Sequence, residues 1–262
     1  MRKAGELIAQ YLREGKLAAN RSEPIGAGGN AVVYASDVPG NVMKQLSYPD
    51  EGKFGLPGDA PKVIEEADLQ AVAAEMGFAP KVAGVETFPG GIGNRIEMAD
   101  VRDNFETHGT NYRGYPIGKD AVRVNQQLGQ LALKGVRLED RHNGNVLYNK
   151  ATGRPMQLDF GIAGRVEGSE QVATLAMATS EGLESAGLIE EAAIYRATVM
   201  DLLEGGDVSD AMDVAKQGFS RLQKIKEPVK GRVPSAKTVL LEKALKDFDP
   251  DYRKVHEIDI PF

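Results

Sequence analysis

A change of hydrophobic period near residue 100 restricts the fold more than any other feature of the sequence. Before it, apolar residues fall in short β-prone runs: the stretch from Ile25 to Leu46, with Ala31 to Tyr34 and Asn41 to Lys44 either side of a Pro39-Gly40 turn, then Lys81 to Glu86 and Arg95 to Ala99, joined by a turn at 89–93. One helical face interrupts these runs. Leu69, Val72, Ala73 and Met76 share it, which predicts a helix from Glu65 to Met76 that follows a Gly- and Pro-rich loop at 49–61 and ends at Gly77. Beyond residue 118 the period becomes helical. Helices are expected at 120–134, 181–203 (one or two), 209–225 and 236–248, interrupted by strand-like pieces at 146–148 and 156–158. Leu7, Ile8, Tyr11 and Leu12 suggest a further short amphipathic helix. The expectation is an α+β fold in two lobes: residues 1–100 with a small antiparallel sheet and one helix, residues 101–262 mainly helical.

A chain of 262 residues can bury a real core, and its charged content of 27% is ordinary for a globular protein. With no cysteine, disulfides, thiolate zinc sites and a cysteine nucleophile are excluded. The net charge of −6 argues against bulk attraction to nucleic acid or anionic membrane, so no nucleic-acid partner is expected. Residues 1–20 mix charges with apolar positions and read neither as a secretory signal nor as a membrane span. A cytoplasmic setting is the expectation. Delivery into a host cell and packaging in a virion leave no clear sequence trace and stay open.

The motifs come in a fixed order. The run from Ile25 to Tyr34 carries Gly26, Gly28 and Gly29 in a hairpin whose backbone N–H groups could face phosphate oxygens, with Val33 placed to cover a base. Lys44 follows on the next strand. Two carboxylates, Glu65 and Glu66, open the helix after it; Glu65 is preferred because Leu69 and Val72 lie one and two turns further along the same face. Ile96, Glu97, Met98 and Ala99 end the last strand of the first half. Asp140 and Asn145 then stand five residues apart, and Asp159-Phe160-Gly161 begins fourteen residues after Asn145.

These motifs together resemble the protein-kinase-like superfamily over roughly residues 25–165. The segment Asp140 to Asn145 is also similar to the catalytic loop of phosphatidylinositol 3- and 4-kinases, and the chain's compactness to kinases used by bacteria and bacteriophages as effectors. The resemblance implies a bilobal kinase fold, ATP, and Mg²⁺ with Mn²⁺ as an alternative. Lys44 would hold the α- and β-phosphates, with Glu65 orienting it. Ile25, Gly26, Gly28, Gly29 and Val33 would enclose the nucleotide. Backbone groups of Glu97 and Ala99 would meet adenine, with Ile96 guarding the back of the pocket. Asp140 would take the acceptor hydroxyl's proton, and Asn145 and Asp159 would hold the metal. His142 would contact the γ-phosphate or assist proton removal, the alternative being a histidine that only hydrogen-bonds its own loop.

Three departures bear on the acceptor. Glu139, not Arg, precedes Asp140, so the usual partner of a phosphorylated activation loop is missing. No Ala-Pro-Glu motif follows Gly161, the nearest match being Thr179-Ser180-Glu181. The chain beyond Gly161 is also short, about a hundred residues. A protein Ser/Thr acceptor is the first expectation, a small-molecule or phosphoinositide-like lipid acceptor the second, and an ATP-binding scaffold without turnover the third.

Overall fold

The computed structural model describes residues 24–27, 31–46, 60–87, 94–110, 114–138 and 143–227. The architecture is the expected α+β arrangement of a small antiparallel sheet and several helices. The predicted helices at 7–12 and 236–248, the loop at 49–61 and the turn at 89–93 lie outside the described residues or, for the loop, almost wholly so.

Strands β1 (Gly26–Ala27), β2 (Ala31–Ala35) and β3 (Asn41–Leu46) are followed by helix α1 (Ala60–Glu75), then β4 (Val82–Glu86) and β5 (Arg95–Ala99). The sheet order is β1-β2-β3-β5-β4, antiparallel throughout, with β3 and β5 central. Helix α1 starts five residues before the sequence reading placed it. It ends as read, with Gly77 at φ 74° and Phe78 N–H donating to Ala73 O at 2.8 Å, which caps carbonyls the helix cannot satisfy itself. Val63 and Ala67 of α1 pack on Val42, Ile96 and Met98 of the sheet.

After β6 (Phe105–Glu106) come α2 (Gly118–Leu133), β7 (Val136–Arg137), β8 (Val146–Asn149), β9 (Pro155–Gln157) and β10 (Gly164–Arg165). Strands β6, β8 and β9 form one small sheet, and β7 and β10 pair separately. Helices α3 (Gly168–Ser185), α4 (Ile189–Glu204) and α5 (Val208–Gln223) complete the described chain. Most of α3, residues 168–180, is absent from the sequence reading, which began a helix only at 181. Thr179 and Ser180 are buried within α3, so the nearest match to the missing Ala-Pro-Glu motif is helix interior.

The chain gathers into two compact units, one of residues 1–116 and 133–166, the other of 117–132 and 167–262. This partition by contact differs from the lobes expected on either side of residue 100. The second unit has an apolar core that includes Val122, Leu175, Leu183, Val199, Phe219 and Leu222. Its helices approach closely where side chains are missing: a Cβ on Gly129 would lie 2.2 Å from the Phe219 ring, one on Gly218 2.2 Å from the Tyr195 ring, and one on Gly182 2.6 Å from Leu222. No helix among the described residues is long and apolar enough to cross a membrane.

Candidate active site

Register across the central strands decides where Lys44 goes. Val42 lies opposite Met98 and Lys44 opposite Ile96, so strand alternation puts these four side chains on one face of the sheet, the face covered by α1. Lys44 is therefore buried, only 6% exposed. Its Nζ donates to Glu66 Oε1 at 2.6 Å and to Asp159 Oδ1 at 2.6 Å. Burial by itself would lower the ammonium's pKa; the attraction of Glu66 and then of Asp159 overrides it and holds Lys44 above its ordinary value. The Glu66 carboxyl is pushed up by its burial, which outweighs the pull of Lys44, and the neighbouring Asp159 charge adds to the rise.

The carboxylate that meets Lys44 is thus Glu66 and not Glu65, which corrects the preferred assignment. Glu65 is exposed, whereas Glu66 is buried. The reason lies in the helix face. The described buried residues of the helix are Val63, Glu66, Ala67, Leu69, Gln70 and Ala73, with Val72 half-buried and Glu65 exposed; the sequence reading, starting the helix at 65, had Leu69 and Ala73 on the face but lacked Val63 and so centred the face toward Val72. Gln70, one turn beyond Glu66, is fully buried and donates from Nε2 to Pro80 O at 3.0 Å, while its Oε1 has no hydrogen-bond partner. A polar residue four positions after the charged one, on an otherwise apolar face, was the available signal for it.

The β8–β9 hairpin brings the other groups together. Val146 pairs with Gln157, so Asn145 and Leu158 leave the open end of the hairpin side by side, and Leu158 N–H donates to Asn145 O at 2.8 Å. Asn145, last residue of a 3₁₀ turn Asn143–Asn145, is buried. Asp159 follows Leu158 directly. Its Oδ1 also accepts from Gly161 N–H at 2.9 Å, and Phe160 is buried, 1% exposed.

A cavity of about 300 Å³ opens over these groups. Ile25, Gly26 and Val33 from the glycine hairpin line it, and Lys44, Asn145 and Asp159 form its polar end. Among the described residues a Cβ at Gly26 would meet Val33, at an ordinary 4.0 Å. Of the expected adenine contacts, Ala99 lines the cavity and Glu97 does not. Glu97 sits mid-strand in β5 between β3 and β4, paired with Met43 and Gly84, so its backbone belongs to the sheet ladder. Its side chain accepts from Ser36 Oγ at 2.5 Å and from Asn41 Nδ2 at 3.2 Å, which lowers its pKa. Ile96 is fully buried under α1, and Met98 takes the cavity wall in its place. Ala99 N–H donates to Lys81 O at 2.9 Å, and the lining continues through Asp100, Val101 and Arg102. The Arg102 guanidinium is held in a paired contact with Asp100, Nη2 to Oδ2 at 2.6 Å. These three residues lie just past the strand end, beyond the motif that the sequence reading stopped at. Gly28, Gly29, Asp140 and His142 lie outside the described residues.

The sheet order, the helix between its third and fourth strands, and the strand lysine paired to that helix's carboxylate make the fold protein-kinase-like, as the motifs implied. No protein-family model and no curated protein matches the chain. Among solved structures it is similar to the kinase domain of PknI from Mycobacterium tuberculosis, with 16% identity, 77% of this chain and 94% of that chain covered, and a TM-score of 0.45. It is also similar to the Cydia pomonella granulovirus kinase PK-1, with 15% identity, 71% and 75% covered, and a TM-score of 0.40.

Proposed function

We propose that the chain is an ATP-dependent phosphotransferase that transfers the γ-phosphoryl group to a hydroxyl, with Ser or Thr of a protein as first acceptor class. The observation that carries this reading is the Lys44 ammonium, fixed 2.6 Å from both Glu66 and Asp159 at the polar end of a cavity roofed by the glycine hairpin. In that position Lys44 would hold the α- and β-phosphates, Glu66 would keep its Nζ in place, and the backbone from Ala99 to Val101 would meet the base. Asp140 would accept the acceptor's proton, and the lobes would divide near residue 100. Positioning and charge stabilisation supply such catalysis, since the phosphoryl group needs little covalent help.

The residues present fit Mg²⁺. A carboxylate from Asp159 and an amide from Asn145 are hard oxygen donors lining the same cavity, the small donor set that suits an ion whose other ligands are phosphates and water. Bound there, Mg²⁺ would neutralise charge on the phosphates.

A second reading, a small-molecule or lipid acceptor, draws on the six residues between Gly161 and α3, which leave little chain on which to lay an extended peptide. The test is incubation with γ-labelled ATP and Mg²⁺, with protein acceptors and separately with lipid and metabolite pools. Label on protein that falls ~10²- to 10⁴-fold in Asp140→Ala supports the first reading. Label confined to lipid or metabolite supports the second. Saturable nucleotide binding without transfer to anything would leave an ATP-binding scaffold. Asp159→Asn should abolish metal-dependent nucleotide binding, and unchanged Mg·ATP affinity would sink the metal assignment.

A further inference from the structure

Helix α4 carries apolar residues on two sides. Ala192, Tyr195 and Val199 are buried in the core of the helical unit. Ala193, Ile194, Ala197 and Met200 are spaced to share a different face, and that face is exposed, Ile194 by 70%. A helix that is apolar on both sides ordinarily has both sides covered.

The strip continues onto α3. The two helices are antiparallel neighbours joined through residues 186–188, and Arg196 Nη2 donates to Ser180 Oγ at 2.8 Å and to Glu184 Oε1 at 3.0 Å. Met177, one turn before Ser180, is 53% exposed and lies on the same side of that contact as Met200, one turn after Arg196.

Charge says what fits there. Residues 168–204 hold seven carboxylates and one arginine, Arg196, and Glu184, Glu190, Asp201 and Glu204 are exposed. Residues 228–248, which follow the last described residue, Glu227, have the opposite sign, with five Lys or Arg against two carboxylates. The helix expected at 236–248 would gather Leu240, Leu241, Ala244, Leu245 and Phe248 on one face. It is also within reach. Arg221 Nε donates to Glu191 Oε1 at 3.1 Å, which sets the last turn of α5 beside the first turn of α4. From Glu191 to Met200 the helix runs about 14 Å, and the eight residues 228–235 can span about 26 Å. A second copy suits this face poorly, because a two-fold contact would set one acidic face against another.

We propose that residues 236–248 fold back as an amphipathic helix onto the outer face of α4, with Ile194, Ala197, Met200 and Met177 as the apolar seat and the surrounding carboxylates answering its lysines. The docking is independent of the phosphotransferase reading.

The chain has no cysteine, so one introduced thiol reports one position. In the full chain, Ala197→Cys puts a thiol in the middle of the strip, and Ser220→Cys puts one at an exposed site on α5. Each variant is reacted with a thiol reagent over a range of protein concentrations. The expected result is a reaction at position 197 slowed about tenfold or more relative to position 220, at every concentration. Leu241→Glu with Leu245→Glu should bring the two rates together, and added salt should speed the reaction at 197 by screening the charges. If that double substitution prevents folding, Lys243→Glu with Lys246→Glu, off the apolar face, should raise the rate at 197 in its place. A thiol at 197 that reacts as fast as one at 220 overturns the proposal. So does a slow reaction that these substitutions leave unchanged; were that slowness to grow with protein concentration, the face would belong to a second copy.

Discussion

In the helical unit the closest approaches are between glycines and the rings or branched ends of other helices, with Gly129 under Phe219 and Gly218 under Tyr195. Around the cavity they are between charges, with one ammonium 2.6 Å from each of two carboxylates. Some buried polar groups in the helices are answered within a turn, Asn125 Nδ2 donating to Ala121 O at 3.0 Å and Ser180 Oγ to Met177 O at 3.0 Å, and others by neutral backbone carbonyls of a neighbouring helix, as Tyr195 by Ala215 O. Lys44, by contrast, is answered by the carboxylates of residues 22 and 115 positions away. The helical unit keeps its shape through volume and neutral hydrogen bonds, and the pocket keeps a buried ammonium through two carboxylates. The two should therefore fail differently.

Lys44→Met attacks the pocket and carries the largest expected effect. In the proposed enzyme it removes the phosphate-facing cation, and kcat should fall by about 10²- to 10³-fold. It also strands Glu66 in a buried site, so the folded chain should lose on the order of 3–5 kcal/mol at neutral pH. Denaturant titration should show part of that loss recovered in acid, where Glu66 takes up a proton. An equally active Lys44→Met protein would break the comparison at its pocket end.

The pH test falls on the helices. Burial pushes Tyr195 up to about 12, while its hydroxyl donates to Ala215 O at 3.2 Å. A raised phenol favours its neutral form in the folded chain, so the unfolded chain ionises first, from about pH 10. Stability should fall through pH 10 to 12 by on the order of 2–3 kcal/mol, and Tyr195→Phe should flatten that part of the curve. Lys44, also raised, loses its contribution as pH climbs through its folded value, so the part that survives in Tyr195→Phe reports the pocket. No difference between the two proteins above pH 10 would show that the phenol is not held as the geometry implies.

Gly129→Ala sharpens the volume end. Its added methyl meets the Phe219 ring, and overpacking of this kind costs typically about 1–3 kcal/mol. Thermal unfolding should move down while kcat per folded molecule stays put. A fall in kcat of the kind expected for Lys44→Met would erase the distinction.

Much of the fold was legible because period and punctuation are local. β5 was read at its observed bounds, and β3, β4, α2 and α5 to within a few residues of theirs. Most of α3 was missed: it starts two residues after a two-residue strand, and its small residues, among them Ala173, Ala176 and Ala178, give a weak apolar stripe. At the site, the resemblance that the motifs carry implied a shared site for Lys44, Asn145 and Asp159, and the three line one cavity. Glu66 was ranked behind Glu65 because the helix start lay after a Gly- and Pro-rich stretch that hides where the first turn begins. Glu97 was misjudged because strand ends look alike in sequence, and only pairing on both sides shows that a residue's backbone is already engaged.

The glycine contacts of the helical unit say what a distant relative of this chain must look like. Position 129 can enlarge only where position 219 shrinks, 218 only with 195, and 182 only with 222. Three exchanges of volume between positions far apart in the sequence are a constraint that survives when identity does not. Coordinated substitution at these pairs would recognise the packing in sequences that share few other residues with it.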